Sequence, residues 1–299
     1  MNRDTLRHVV RNFLGLIFIL SGVLKLMSVQ DFELYVYGFG FLSFDYSVLI
    51  SRILISIEIL IGVLLLLGIY LHQVVRISFV ILAGFSVFIL YLIVAGNREH
   101  CHCFGNFIQL SHPVSLLKNG ILIGGLLYIS QKNKMTVHNQ KKILMYSIIL
   151  SLAFPFVFAF PHTYFHTAKQ DTNTGYNKTV LADFLQKNTS FTQGKQLLCF
   201  FSPGCKYCKM TAKKISVINH RTPKNIPVHF IFFGNSKSIE KFYQDTQLPL
   251  GNYTTIPTDV FINLTEGKMP VVLLLDQGKV YKKYAFDDLD ETEILAFFN

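Results

Sequence analysis

Five apolar runs dominate the first half of this 299-residue chain: Val9–Met27, Val48–Ile69, Val74–Ala95, Val114–Ser130 and Ile143–Phe160. About 20 apolar residues cross the ~30 Å hydrocarbon layer as a helix, so each run is long enough to span a membrane. The first run follows a basic start (Arg3, Arg7, Arg11), as a signal peptide would. No small-residue cleavage site follows it, Lys25 interrupts its end and further spans come directly after, so a membrane helix is expected. Only 15% of the chain is charged and its mean hydropathy is +0.39, which excludes a disordered chain. The net charge of +10 does not imply nucleic acid, because the basic residues gather at the ends of apolar runs.

Loop charges set the expected orientation. The N-terminal segment carries three Arg, the turn after the second run His72 and Arg76, and the loop after the fourth Lys132, Lys134, Lys141 and Lys142. The loop after the first run holds Asp31, Glu33 and Asp45 without a basic residue. Positive-inside topology then puts the N-terminus in the cytoplasm, and the 96–113 loop and the C-terminal half outside.

From about Gln170 the chain turns polar, and short strands alternate with helices. Buried strands are expected at Gln196–Ser202 and Pro227–Phe233, helices at Pro203–Asn219, Ser236–Gln247 and Leu289–Phe298, and a hairpin at Val271–Leu275 with Lys279–Tyr284. The order is β-α-β-α-β-β-α, with the first two strands parallel because a helix joins them. The expected architecture is an α-helical membrane bundle of about five spans plus an α/β soluble domain. Its parts are a four-helix domain over 1–135, a fifth helix over 136–165, a linker over 166–178 and the soluble domain over 179–299.

Five cysteines are too few for a disulfide-stapled scaffold. Cys205-Lys206-Tyr207-Cys208 follows the first buried strand and opens a helix. A helix N-terminus favours a thiolate, so Cys205 is the expected attacking thiol, Cys208 resolves the mixed disulfide, and Lys206 and Lys209 strengthen the field. The competing reading is half a zinc site, which needs a second cysteine pair nearby. The C-terminal half offers only Cys199, a strand residue expected in the core.

Strand, CxxC and helix together resemble the thioredoxin fold, as does Met269-Pro270 before the third strand. The resemblance implies a cis proline against the CxxC pair and a Met269 backbone that pairs with a bound substrate strand. Lys206 and Tyr207 match neither the Gly-Pro of thioredoxin nor the Pro-His of strong periplasmic oxidants, which leaves the direction of electron flow open.

Cys101-His102-Cys103-Phe104-Gly105 lies in the outer loop before the fourth run. Three readings stand: a redox pair exchanging with Cys205 and Cys208, a copper or zinc site using His100, Cys101, His102 and Cys103, or a structural turn. Inside the spans Glu58 lies about 15 Å from the outer end of its run. That is too deep to reach water, so it should pair with Lys118 or Lys25, bracing the bundle or taking up protons. Lys25 and Arg52 are close enough to an end to snorkel.

Ser21-Gly22-Val23-Leu24-Lys25-Leu26, Glu58, Cys103-Phe104-Gly105 and Lys118-Asn119 resemble the MauE family, related to DoxX. The resemblance implies a role in making or maintaining disulfides in exported proteins, with a link to quinol oxidation in some relatives. With every cysteine outside or in the C-terminal half, thiols alone cannot carry electrons across the membrane. A bilayer quinone is therefore the expected acceptor, with no covalently bound cofactor and no resident metal. The expected enzyme is a thiol–disulfide oxidoreductase of a bacterial cytoplasmic membrane whose partners are exported thiols, lipid and quinone. A metal-handling protein, an enzyme-specific assembly factor and a bundle that serves only as an anchor are the rivals.

Overall fold

The computed structural model describes residues 3–95, 101–106, 108–130, 140–159, 175–222, 225–246, 248–249, 251, 253–286 and 288–299. The chain forms two compact units, Met1–Tyr35 with Tyr46–Pro161, and Val36–Asp45 with His162–Asn299.

Five helices of the first chain half are long and apolar enough to cross a membrane: α1 (Arg3–Met27), α3 (Phe44–Leu67), α4 (Leu71–Val94), α5 (His112–Ser130) and α6 (Gln140–Phe158). Between α1 and α3 the acidic loop forms a further helix, α2 (Val29–Gly38), too short to span and not anticipated. Its burial explains it, since every residue from Phe32 to Tyr37 is buried and Glu33 among them pairs with Arg52. A short hairpin, β1 (Cys101–Asn106) with β2 (Ile108–Leu110), precedes α5.

Small residues let helices approach closely in a bundle whose surroundings are as apolar as its core. A Cβ on Gly62 of α3 would meet the Gly15 carbonyl of α1 at 2.7 Å and the Ile19 backbone nitrogen at 2.9 Å. One on Gly22 would meet Ile59 at 2.7 Å. Around this seam Leu14, Phe18, Leu65, Leu82, Leu122 and Leu126 build the core. Phe13, Leu16, Leu20, Leu150 and Phe158 remain exposed, as lipid-facing side chains do.

The second unit is a five-stranded sheet in the order β5-β4-β3-β6-β7. Its strands are β3 (Lys195–Phe201), β4 (Val228–Phe232), β5 (Tyr253–Thr255), β6 (Val271–Asp276) and β7 (Lys279–Tyr284). The expected parallel pairing of β3 with β4 is present, and β6 and β7 form the expected antiparallel hairpin. Central β3 is buried on both faces. Leu198 and Phe200 join the core beneath α7 (Lys178–Lys187) and α10 (Thr258–Thr265). On the other face Phe201 stacks on Phe242 of α9 (Ser236–Thr246), which packs beside α8 (Lys206–Arg221). With the closing helix α11 (Glu291–Phe298) this is a thioredoxin-like fold.

Helix α7, strand β5 and helix α10 add to the expected order. The Asn177 side chain caps α7 by accepting from the Thr179 and Val180 amides. Tyr176 is buried and the Asn177 amide donates to the Leu264 carbonyl at 2.8 Å, so this end of the stretch read as linker is part of the core. The rest of that stretch, from 166 to 174, lies outside the described residues. Segment Val36–Asp45 also belongs to this unit. The Tyr37 hydroxyl donates to Glu291 at 3.0 Å, and the Arg221 guanidinium covers the Tyr37 ring.

Replacing Gly62 by Leu should force α1 from α3, lowering stability by about 1–3 kcal/mol as overpacking does. Gly84→Ala, where a Cβ meets nothing within 4 Å, should hold or gain stability. Thermal melting of the two variants in one detergent checks the contrast.

Candidate functional site

Strand β3 ends at Phe201, and a tight turn through Ser202–Gly204 delivers Cys205 to the N-cap of α8. The Cys205 amide donates to the Ser202 carbonyl at 3.1 Å, fixing the turn. The Cys205 backbone is extended, and its Sγ accepts the Cys208 amide hydrogen at 3.3 Å. The first-turn amides have no intrahelical partner, so a negative sulfur there supplies one.

The two thiols are thereby driven apart. Cys205 falls to about 6, chiefly through the hydrogen bond from the Cys208 thiol, then through the Cys208 and Tyr207 amides and the Lys209 charge, with burial opposing. Burial pushes Cys208 far up, and the neighbouring Cys205 pushes it the same way. At neutral pH one sulfur is a thiolate and the other holds its proton and donates it. The named charge on Cys205 is that of Lys209, which also pairs with Asp245 at 2.7 Å. Lys206 is exposed in the first turn of α8.

The Met269–Pro270 peptide bond is cis, as the resemblance implied. Val271 pairs with Phe200, so Met269 and Pro270 lie at the same end of the sheet as the Cys205 turn. Pro270 is buried and Met269 half-buried. Exposed Tyr207 stacks on Phe286, from the stretch after β7, with ring centroids 5.4 Å apart. Phe286 carries no signal in the sequence, since only the fold brings it beside the cysteines. Cys199 is fully buried with its thiol pushed up by burial, the core residue expected.

In the first unit, Lys25 and Glu58 form an ion pair, and the Ser21 hydroxyl donates to the same carboxylate at 3.1 Å. Lys25 is only 3% exposed, which corrects the snorkelling expected of it. A carboxylate one helix away is a better partner than water beyond the bundle's end. Arg52 is corrected likewise: it is buried, pairs with Glu33 of α2, and donates from Nε and Nη2 to the Ala159 carbonyl at 3.1 and 2.9 Å. Glu58 thus takes Lys25 of its two expected partners. Lys118 sits 5.0 Å from the centre of the Phe104 ring of β1, within the field of Lys25 and Glu58.

Strand β1 carries Cys101 and Cys103, whose side chains, with that of His102 and the whole of His100, lie outside the described residues. The backbone of β1 packs on the end of α1. Gly105 has φ +63°, and a Cβ there would meet the Leu24 carbonyl at 2.6 Å. Glycine meets both demands. Among the described residues no three His, Cys, Asp or Glu side chains gather as a metal site.

Residues 3–130 match the family model described as methylamine utilisation protein MauE. Protein TlpB of Flavobacterium psychrophilum is 25% identical over 340 aligned positions, covering 93% of this chain and 91% of TlpB. Two solved structures align with 36% of the chain at 13% identity and a TM-score of 0.30. They are a secreted Mycobacterium tuberculosis disulfide oxidoreductase homologous to E. coli DsbE, aligned over 82% of its length, and a DsbF homologue from Corynebacterium diphtheriae, over 73%.

Alkylation of Cys205 by iodoacetamide, followed against pH in the reduced protein, should rise through a midpoint near 6. Cys208→Ala removes the thiol donor but keeps the backbone amides, so the midpoint should move up without reaching that of a free thiol. A wild-type midpoint at 8 or above would contradict the capped thiolate. Because the folded value is depressed, the thiolate's contribution to stability is present above the unfolded thiol range near 8.5 and is lost as pH falls through about 6.

Proposed function

We propose that this chain is a membrane-bound thiol–disulfide oxidoreductase that draws electrons from exported thiols, with the second unit on the extracytoplasmic side of a bacterial cytoplasmic membrane. The observation that carries this reading is the capped Cys205 thiolate beside a buried, protonated Cys208. Stabilising the thiolate stabilises the reduced pair, so the oxidised pair is the better oxidant.

The chemistry follows from the two thiols. A client thiolate attacks Cys205 Sγ of the Cys205–Cys208 disulfide, and Cys208 leaves and takes a proton. A second client thiolate then attacks the client sulfur of the mixed disulfide and expels Cys205, whose low pKa makes it the better leaving group. The client gains a disulfide, and the CxxC pair holds two electrons, with one proton on Cys208 and Cys205 left as the thiolate. Met269 presents backbone to the client strand beside Pro270, and Lys206 adds positive charge at the mouth. The Cys101–Cys103 disulfide reoxidises the pair by the same exchange and becomes a dithiol, taking its second proton from water, and that dithiol would give two electrons and two protons to a bilayer quinone. Glu58 with Lys25, and Lys118 beside Phe104, supply charged groups near β1 for those protons.

Acid trapping and alkylation in intact cells tests the relay. Cys205–Cys208 should be oxidised in the parent and reduced when Cys101 and Cys103 are both replaced by Ser. A pair that is reduced in the parent overturns the direction, and an unchanged pair in the double variant overturns the relay.

A further inference from the structure

Helix α5 buries one face along its whole length: His112, Ser115, Asn119, Leu122, Leu126 and Ile129. The last three are core residues, but the first three are polar, at 7%, 0% and 1% exposure, in a helix apolar enough to span a membrane. Among the described residues, His112 Nε2, Ser115 Oγ and Asn119 Oδ1 have no hydrogen-bond partner. Such orphans are costly away from water and rare.

Ser51 Oγ of α3 and Arg7 Nε of α1 are also unpaired, but only α5 gathers three such atoms on one face among the described residues. Ser56, Ser78 and Ser86 each donate to the carbonyl four residues back, at 2.7–2.8 Å, and so are satisfied within their own helices. Ser115 makes no such bond. Asn119 donates through Nδ2 to Ser86 Oγ at 3.1 Å. Because the Ser86 hydroxyl hydrogen is committed to Leu82, Ser86 can only accept, which fixes the amide and leaves Oδ1 as a bare acceptor.

The unfilled groups therefore ask for a ligand that both accepts and donates. Ser115 offers a hydroxyl donor, His112 a ring nitrogen of either role, and Asn119 an acceptor. Ser115 and Asn119 are four residues apart, about 6 Å along the axis, close to the separation of the para oxygens of a quinone ring. The surroundings are apolar and partly aromatic, since Phe85, Ile89 and Leu116 cluster with Phe104 of β1. Strand β1, which carries Cys101 and Cys103, packs against α5.

We propose that His112, Ser115 and Asn119 on the buried face of α5 form the binding site for the quinone head group, next to the CxC-bearing strand. This rests on the oxidoreductase reading and adds where its electrons leave. Quinone oxygens accept from Ser115 and His112, and the hydroxyl of the quinol donates to Asn119 Oδ1. Across the step two S–H bonds break, the Cys101–Cys103 bond forms, and the two protons and two electrons convert the quinone's two carbonyls to hydroxyls.

The test uses the full-length protein in detergent and 2-methyl-1,4-naphthoquinone as probe, with binding measured by ultrafiltration. Ser115→Ala and Asn119→Leu should each weaken binding about tenfold or more. Ser115→Ala should melt near the parent temperature, because removing an unpaired buried hydroxyl forfeits no hydrogen bond, whereas Asn119→Leu also gives up the Asn119 Nδ2–Ser86 Oγ bond and should melt somewhat lower. Parent protein that fails to retain the naphthoquinone, or variants that retain it equally, overturn the site and leave a water-filled polar stripe. Exchange between Cys205/Cys208 and Cys101/Cys103 is followed by alkylation without quinone. Exchange without binding sinks this site alone, and binding without exchange sinks the relay.

Discussion

Inside a bundle surrounded by lipid, a charged side chain survives only against an opposite charge. The Lys25–Glu58 pair is where the first unit meets that demand, and its neighbours are arranged to let it form. Gly15, Gly22 and Gly62 bring α1 and α3 close enough for Lys25 to reach a carboxylate on the neighbouring helix. Ser21, one turn before Lys25, donates to the other carboxylate oxygen. The same end of α1 then receives the β1 hairpin, where Gly105 lies against the Leu24 carbonyl. Pairing, helix approach and placement of the cysteine-bearing strand are thus one construction. Breaking either charge leaves the other buried alone, which costs several kcal/mol in soluble interiors.

The second unit meets a related demand in the opposite way. Its core is almost wholly apolar, and the polar chemistry is moved to a helix terminus where backbone amides are already unpaired. Cys205 gains from that position and Cys208, three residues on, is pulled into the core and loses by it. One turn of helix separates an acidic sulfur from a basic one. The difference arises chiefly from depth and hydrogen bonding, with the Lys209 charge lowering Cys205 further. It also explains why Cys199, equally buried but without the helix terminus, is only packing.

Features written in local pattern were readable from sequence. Apolar run length gave the spans, the short continuous apolar run of β3 gave a buried strand, and Cys-x-x-Cys after it gave the redox turn. What escaped was decided by partners distant in the chain. The pairing of Arg52 with Glu33 depends on α2 forming, and a ten-residue stretch interrupted by Asp31, Glu33, Tyr35 and Tyr37 reads as loop until its burial is seen. Lys25 is one of two expected partners of Glu58, and the glycine seam is what brings it close enough to pair rather than reach water. Phe286 beside Tyr207 depends on where β7 ends.

The unpaired polar face of α5 belongs with these long-range features but differs from them in kind. Lys25, Arg52 and the back-bonded serines are polar groups whose partners the fold supplies, so they are explained once the helices are packed. His112, Ser115 and Asn119 are as deeply buried, yet the protein leaves one atom of each without a partner. Groups kept unsatisfied at that cost are better understood as waiting for something that enters from the bilayer. On the relay proposed above, a quinone would meet both the hydrogen-bonding and the redox requirement of that face.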